Sequence, residues 1–244
     1  MTTDPETLYL QLRRLVATMP ELASGPVTAD MHQWLGRAVA LVEVTRDAMD
    51  VVQLKAAADA LGTGSREYNK HSAQKITSLV HRALARAELS APASAQGAFI
   101  AAGDTLNAFA AVAKVLERAT KDILMVDAYA DQTIITGFAV TAPDGVTLRI
   151  LGADREARKA TLRPAVANWV QQFGASRPIE VRVAPQADLH DRLILIDGTE
   201  AWSAGQSFNG MAQKSHTSIE RSDPELAAMK IQAYEAIWTG AQPL

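Results

Sequence analysis

The chain of 244 residues has no cysteine, which excludes disulfides and thiolate metal sites and removes any sign of an oxidising compartment. Aromatic residues make up only 5%, and the four tryptophans are scattered, without the interleaving that stacks single-stranded bases. No apolar stretch approaches the length of a membrane span, and the opening Met1-Thr2-Thr3-Asp4-Pro5-Glu6 lacks the basic and apolar parts of a signal peptide. A cytoplasmic protein without stable membrane insertion is therefore the expectation. Charge of one sign is also scarce: a formal net charge of −3 gives no global attraction to nucleic acid, so such binding must come from a local patch. No cluster of residues has metal-ligand spacing, and neither a metal nor a cofactor is expected.

What is present is an ordinary globular composition, 48% hydrophobic and 21% charged, enough for one large domain or two small ones. The first ninety residues read as helices. Asp4-Pro5 is a cap followed by proline at the first helical position, after which Leu8, Leu12, Leu15 and Met19 recur at helical spacing. A second helix follows Thr28, with Trp34, Ala38, Leu41 and Val42 on one face. A third runs through Val51, Val52, Leu54 and Leu61 until Gly62-Thr63-Gly64-Ser65 breaks it, and a fourth, near Arg66 to Glu88, turns Ile76, Leu79, Val80, Ala83 and Leu84 inward. Nothing in this segment, residues 1–90, carries chemistry; docking, dimerisation or regulation is its expected role.

Ser90-Ala91-Pro92-Ala93-Ser94-Ala95-Gln96-Gly97 is small, uncharged and interrupted by proline, which marks a linker. Beyond it, over residues 98–244, helical and strand periods alternate, so an α/β domain is expected. Helices are read over Asp104 to Thr120 (through Leu106, Phe109, Val112 and Leu116), over Asp154 to Phe173 (inward face Leu162, Val166, Trp169 and Val170), and after Ser222-Asp223-Pro224 (carrying Leu226, Met229, Ile231 and Trp238). Strands are read over Asp122 to Tyr129, Val146 to Leu151, Ile179 to Ala184, Arg192 to Asp197 and Glu200 to Ala204. No internal repeat is visible.

The most informative segment runs from Leu189 to Glu220. His190-Asp191-Arg192 precedes an apolar Leu193-Ile194-Leu195-Ile196 strand, Asp197 follows it, and Ser207-Phe208-Asn209 and Glu220 come later. Attack on a phosphate diester needs a nucleophile that leaves again, cations and donors to hold anionic oxygens, and an acid near the leaving oxygen. His190 meets the first requirement by forming a phosphohistidine. Residues i and i+2 of a strand share a face, so Arg192 projects with His190 and offers a two-pronged grip on phosphate. Asp197 closes the strand, Ser207 and Asn209 share one side of an extended segment as neutral donors, and Glu220, acceptor-only when ionised, is able to fix a histidine tautomer.

These residues resemble the phospholipase D superfamily, whose signature is His-x-Lys-x4-Asp, then Gly-Ser-x-Asn and a downstream Glu. The match covers His190, Asp197, Ser207, Asn209 and Glu220. It is closest in kind to the single-motif members, small bacterial endonucleases among them, in which two chains pair so that one histidine forms the covalent intermediate and the other protonates the leaving group. Arg192 stands where that family has lysine, and Gln206 where it usually has glycine, with Gly205 one residue earlier. The resemblance implies a mixed sheet flanked by helices, preceded here by an all-α domain. It also implies metal-independent catalysis in a homodimer, with Asp197 orienting the site.

Further substrate contacts are expected from Tyr129 at the pocket mouth, from His216, and from a basic helix stripe of Arg155, Arg158, Lys159 and Arg163, with Lys114, Arg118 and Lys121 as a weaker second stripe. Three functions remain open. The first is a phosphodiesterase acting on nucleic acid. The second is a non-catalytic binding or regulatory module, whose N-terminal helices dock a protein partner, for instance in bacterial defence. The third is a phosphatidyl-transfer enzyme, which would want an exposed amphipathic helix.

Overall fold

A computed structural model describes residues 4–23, 26–92 and 97–244. The chain divides into two compact units between residues 96 and 97. Of the linker read above, residues 93–96 lie outside the described residues, as do the first three residues.

The first unit holds α1 (Pro5–Ala17), α2 (Ala29–Val44), α3 (Ala48–Ala60) and α4 (Arg66–Ser90). Each helix begins where a side-chain oxygen satisfies a first-turn N–H: Asp4 accepts from Thr7, Thr28 from Met31, Asp47 from Asp50 and Ser65 from Tyr68. Leu12, Leu54, Ile76 and Val80 are fully buried between the helices, and the Trp34 indole N–H donates to the Leu15 carbonyl at 3.0 Å. Asp50, also buried, is matched by Arg82 and Arg86, each at 2.8 Å. Val52 of α3 is exposed. Apolar and polar residues are mixed round α3, so periodicity could not orient it; Leu54 and Ala57 point inward.

The second unit contains β1 (Ala98–Ile100), α5 (Thr105–Leu116), β2 (Asp122–Asp127), a π-helical turn (Ile134–Phe138), β3 (Thr147–Ala153), α6 (Glu156–Phe173), β4 (Ile179–Ala184), β5 (Leu193–Ile196), β6 (Glu200–Ala204), β7 (Thr217–Arg221), α7 (Pro224–Gly240) and β8 (Gln242–Pro243). All strands join one mixed sheet in the order β1-β7-β6-β5-β2-β3-β4-β8. β2, β3 and β4 run parallel, and the other pairs are antiparallel. This is an α/β fold with helices on both faces of the sheet, as the alternating periods imply.

β2 shows why the sheet is covered on both sides. Ile123 and Met125 join the core with α5 and α6, while Leu124 and Val126 join the core with α7, and all four are fully buried. α7 is tied down by Arg149 of β3, whose guanidinium donates to Glu235 at 2.8 and 2.7 Å, to Asp122, and lies 5.2 Å from the Trp238 ring centroid. Burial opposes that charge, but the hydrogen bonds from Arg149 to Glu235 and Asp122 outweigh it and hold its pKa above the ordinary arginine value.

Val170, expected inward on its helix, is exposed, and so are Leu106 and Met229. Val170 sits at the margin of its apolar stripe, whereas Leu106 and Met229 lie on the side of their helices away from the buried residues. The short strands β1, β7 and β8 were not anticipated, and Ser207 to Asn209 forms a turn rather than an extended segment.

β1 pairs with β7 immediately after Gly97, whose φ is +73°, and a Cβ there would lie 2.5 Å from the Ile219 carbonyl oxygen. A Gly97→Ala substitution should therefore cost about 2 kcal/mol through backbone strain and loss of the edge strand, read as a lower urea midpoint by tryptophan fluorescence; an unchanged midpoint would contradict the β1–β7 arrangement.

Candidate functional site

The sheet changes from parallel to antiparallel between β2 and β5, so several chain turns meet at one edge: those after β2, β3, β4 and β6, and that before β5. Crevices outside the carboxyl ends of parallel strands, where strand order switches, are where open α/β sheets bind ligands. His190, Arg192, Ser207, Asn209 and Tyr129 all lie on these turns.

His190 is exposed but its backbone is not loose. Leu189 before it is buried against α7, and the Asp191 N–H after it donates to the Tyr234 hydroxyl of α7 at 3.2 Å. Burial raises the pKa of that phenol, so Tyr234 is a neutral anchor near pH 7. Among the described residues the His190 imidazole has no hydrogen-bond partner, which leaves both ring nitrogens open to a ligand. Arg192 reaches over Tyr129, its guanidinium carbon 5.8 Å from the ring centroid, and Tyr129 is 42% exposed, an aromatic surface beside a cation.

The residue that organises the edge was not among those expected to act. Asp127 ends β2 fully buried, and its carboxylate accepts from the Ser207 hydroxyl at 2.6 Å and from the N–H groups of Phe208 and Tyr129, each at 2.9 Å. One carboxylate thus ties the turn after β2 to the turn after β6. An acid directly after the apolar run Ile123 to Val126 was the signal available in the sequence, since a buried carboxylate requires donors. Ser207, expected to donate to phosphate, instead gives its proton to Asp127 and accepts from the Asn209 N–H at 3.1 Å. It shapes the turn that presents the exposed Asn209.

Gln206, which stands in the place of the resembled family's glycine, has a role of its own. Its amide NH2 donates to the carbonyls of Ser215 and His216 at 3.2 and 3.1 Å, and its oxygen accepts from the Ala212 N–H at 3.0 Å, fastening the loop that leads to β7. Gly205 beside it has little room for a side chain, because a Cβ would sit 3.1 Å from the Thr217 hydroxyl and 3.3 Å from the Ser218 nitrogen. His216 is exposed at the end of this loop with its ring 5.6 Å from that of Phe99.

Asp197 and Glu220 are placed elsewhere. Asp197 lies at the opposite end of β5 from His190, with φ +52°, and accepts from the N–H groups of Thr120, Lys121 and Asp122 and from the Thr120 hydroxyl, at 2.7–2.9 Å for the closest contact of each. It caps the start of β2 and influences the His190 edge only through the strand it closes. Glu220, exposed on β7, is opposite Ser203 of β6, which in turn is opposite Leu193 of β5. Strand alternation puts Glu220 on the α7 face of the sheet, and its expected hydrogen bond to a histidine is not formed with His190 of the same chain.

The basic stripe on α6 is largely neutralised. Lys159 sits 2.6 Å from Asp154 and 2.5 Å from Glu156, hydrogen bonds that raise its pKa, and Arg158 is 3.5 Å from Asp131. Of the four stripe residues, Arg158 and Lys159 are thus ion-paired, while Arg155 has a neutral partner, donating to the Gln186 amide oxygen at 2.8 Å. Of the second stripe, Arg118 is bound by Glu200 at 2.7 Å. No group of three or more metal-ligating side chains is found among the described residues, and no described helix is long and apolar enough to cross a membrane.

No family model and no curated protein matches the chain. Several solved structures are similar to it. Nuc from Salmonella typhimurium, described as a phospholipase D family member, is 16% identical over 61% of this chain and 98% of its own, with a TM-score of 0.45. NucT from Helicobacter pylori is 7% identical over 61% and 98%, TM-score 0.42. Phosphatidylserine synthase from Haemophilus influenzae is 14% identical over 69% of this chain and 47% of its own, TM-score 0.42.

Asp197 supplies a pH-dependent test. Burial works to raise its pKa, and the donors from Asp122, Thr120 and Lys121 overcome that and bring it down to about 2 from 3.8. Its folded value is depressed, so its contribution is complete above pH 4 and is lost as pH falls towards 2. Asp197→Asn should be less stable than the parent by about 1–2 kcal/mol at pH 7, a figure discounted for solvent screening, and the gap in urea midpoint should close between pH 4 and pH 2.

Proposed function

We propose that the second unit is a metal-independent phosphodiesterase of phospholipase D type, acting on nucleic acid through a phosphohistidine on His190 in a homodimer. The observation that carries the reading is the contrast at the sheet edge. The backbone around His190 is fixed by Leu189 and by the Tyr234 hydroxyl, while the imidazole and the neighbouring Arg192 have no carboxylate partner. A nucleophile needs this combination of a held backbone and an open ring nitrogen.

In the proposed reaction a His190 nitrogen attacks phosphorus and the bond to the leaving oxygen breaks. That oxygen takes a proton from the imidazolium of His190 of the partner subunit. Water then attacks the phosphohistidine, giving its proton back to the partner histidine and releasing a phosphate monoester. Arg192 stabilises the equatorial oxygens throughout, as a planar cation with two parallel N–H groups. Asn209 is the neutral donor on the Asp127-anchored turn. Asp127 and Ser207 position that turn. Glu220 serves the histidine pair from the α7 face once two copies meet, and Asp197 keeps β5 in register. The helical unit is proposed to dock, dimerise or regulate.

A second reading, a phosphate-binding module without turnover, is favoured by one observation. The Ser207 proton is spent on Asp127, leaving fewer donors than the resembled motif implies.

The deciding experiment is hydrolysis of bis-p-nitrophenyl phosphate and of single- and double-stranded DNA and RNA in EDTA, by the wild-type chain beside His190→Ala. We expect a loss of at least about a hundredfold in the variant, the scale on which general acid–base and covalent catalysis operate, with an unchanged circular dichroism spectrum. Hydrolysis undiminished in His190→Ala would sink the mechanism, and no hydrolysis by a folded wild-type dimer would favour the binding module.

A further inference from the structure

Several cations of the second unit are matched by carboxylates. Arg118 and Arg221 share Glu200, Arg149 holds Asp122 and Glu235, and Arg177 and Arg182 meet Asp144 and Glu180, each with a contact of 2.8 Å or less. Three other cations are held in place by neutral groups. Arg155 donates to Gln186, Arg192 covers the Tyr129 ring, and the part-buried Lys230 of α7 donates to the Ser203 hydroxyl at 2.6 Å. None of the three has a carboxylate partner among the described residues. An oriented cation without a counter-ion is poised for an anion that arrives with the ligand.

These three lie at one edge. Arg155 follows β3 by two residues, Arg192 precedes β5 by one, and Ser203, under Lys230, is next to the last residue of β6; Tyr129 follows β2. In the sheet order β3-β2-β5-β6 this gives Arg155, Tyr129, Arg192 and Lys230 in succession along the edge. Strands are spaced about 4.8 Å apart, so the row from β3 to β6 spans about 14 Å, too long for a single phosphate. Charges on one strand of a stacked helix recur about every 3.4 Å along the axis, and an unstacked strand spaces them more widely, so the row fits more than one phosphate and fewer than about four nucleotide steps. The Tyr129 ring in the middle offers a stacking surface to an unpaired base, which a duplex would keep hidden. α7 fixes the geometry, since Tyr234, one helical turn beyond Lys230, also anchors Asp191.

We propose that Arg155, Arg192 and Lys230 form a phosphate track for a single-stranded polynucleotide, with Tyr129 stacking one base. The proposal rests on the phosphodiesterase reading for its scissile site beside His190, with Arg192 at the scissile phosphate and Arg155 and Lys230 at flanking ones.

The test separates binding from turnover. In the His190→Ala background, binding of a fluorescein-labelled dodecathymidylate is followed by anisotropy across a salt series. Arg155→Gln and Lys230→Met should each weaken it about five- to tenfold and lower the slope of log K against log salt by about 0.7. Lys230→Arg should restore the slope, and Tyr129→Ala should weaken binding with the slope kept. With an active histidine, the two cation variants should lose five- to tenfold more kcat/KM on the dodecamer than on bis-p-nitrophenyl phosphate. Unaltered slopes in both variants, or equal losses on the two substrates, would overturn the track. A chain that cuts no diester yet shows these slopes would refute the phosphodiesterase reading and uphold the track.

Discussion

The arrangement of the second unit depends on how its central strand is held at both ends. β2 is apolar and fully covered over Ile123 to Val126, so the polar backbone where it enters and leaves the core must be satisfied by something fixed. Asp197 does this at the start, taking three successive N–H groups and a hydroxyl, and Asp127 does it at the end. Each carboxylate joins β2 to a segment some eighty residues away. Charge-assisted bonds of this kind are worth roughly twice their neutral counterparts, and a buried acid without its donors would cost several kcal/mol. The register of β2 and the position of the functional edge are consequences of the same two contacts.

That scaffold explains which groups are left for chemistry. Around His190 the polar side chains fall into anchors, whose hydrogen-bonding capacity is used within the fold, and groups without a carboxylate partner, which are the proposed ligand contacts. Asp127, Ser207, Gln206 and Tyr234 are anchors. His190, Arg192 and Lys230 are either without a partner or bound to neutral ones. In the proposed reading, pre-organisation of this sort favours binding of a charged ligand over self-pairing of the site.

Much of this was legible from local pattern. The helical first unit follows from spacing and caps, and the α/β order follows from alternating periods, because both depend on residues close in sequence. The His190, Arg192 and Asp197 spacing was equally visible. What could not be read depended on distant partners. The neutralisation of Lys159 comes partly from Asp154, five residues away, but that of Arg158 needs Asp131, brought near by the turn after β2. The position of Glu220 on the α7 face needs β7, a five-residue strand with only two buried residues, too weak an alternation to recognise. Ser207 changed role because its partner, Asp127, lies eighty residues earlier. Lys230 was invisible as a proposed ligand contact because only the crossing of α7 over β6 sets it above Ser203.

The central claim is that His190 becomes covalently phosphorylated. Mixing the chain with a single-stranded oligonucleotide, quenching in alkali, where phosphohistidine survives, and mapping the peptides by mass spectrometry tests it most directly. The account predicts a nucleotidyl adduct on the peptide that contains His190, absent in His190→Ala. Turnover with no adduct during the steady state, or an adduct on another residue, would contradict it.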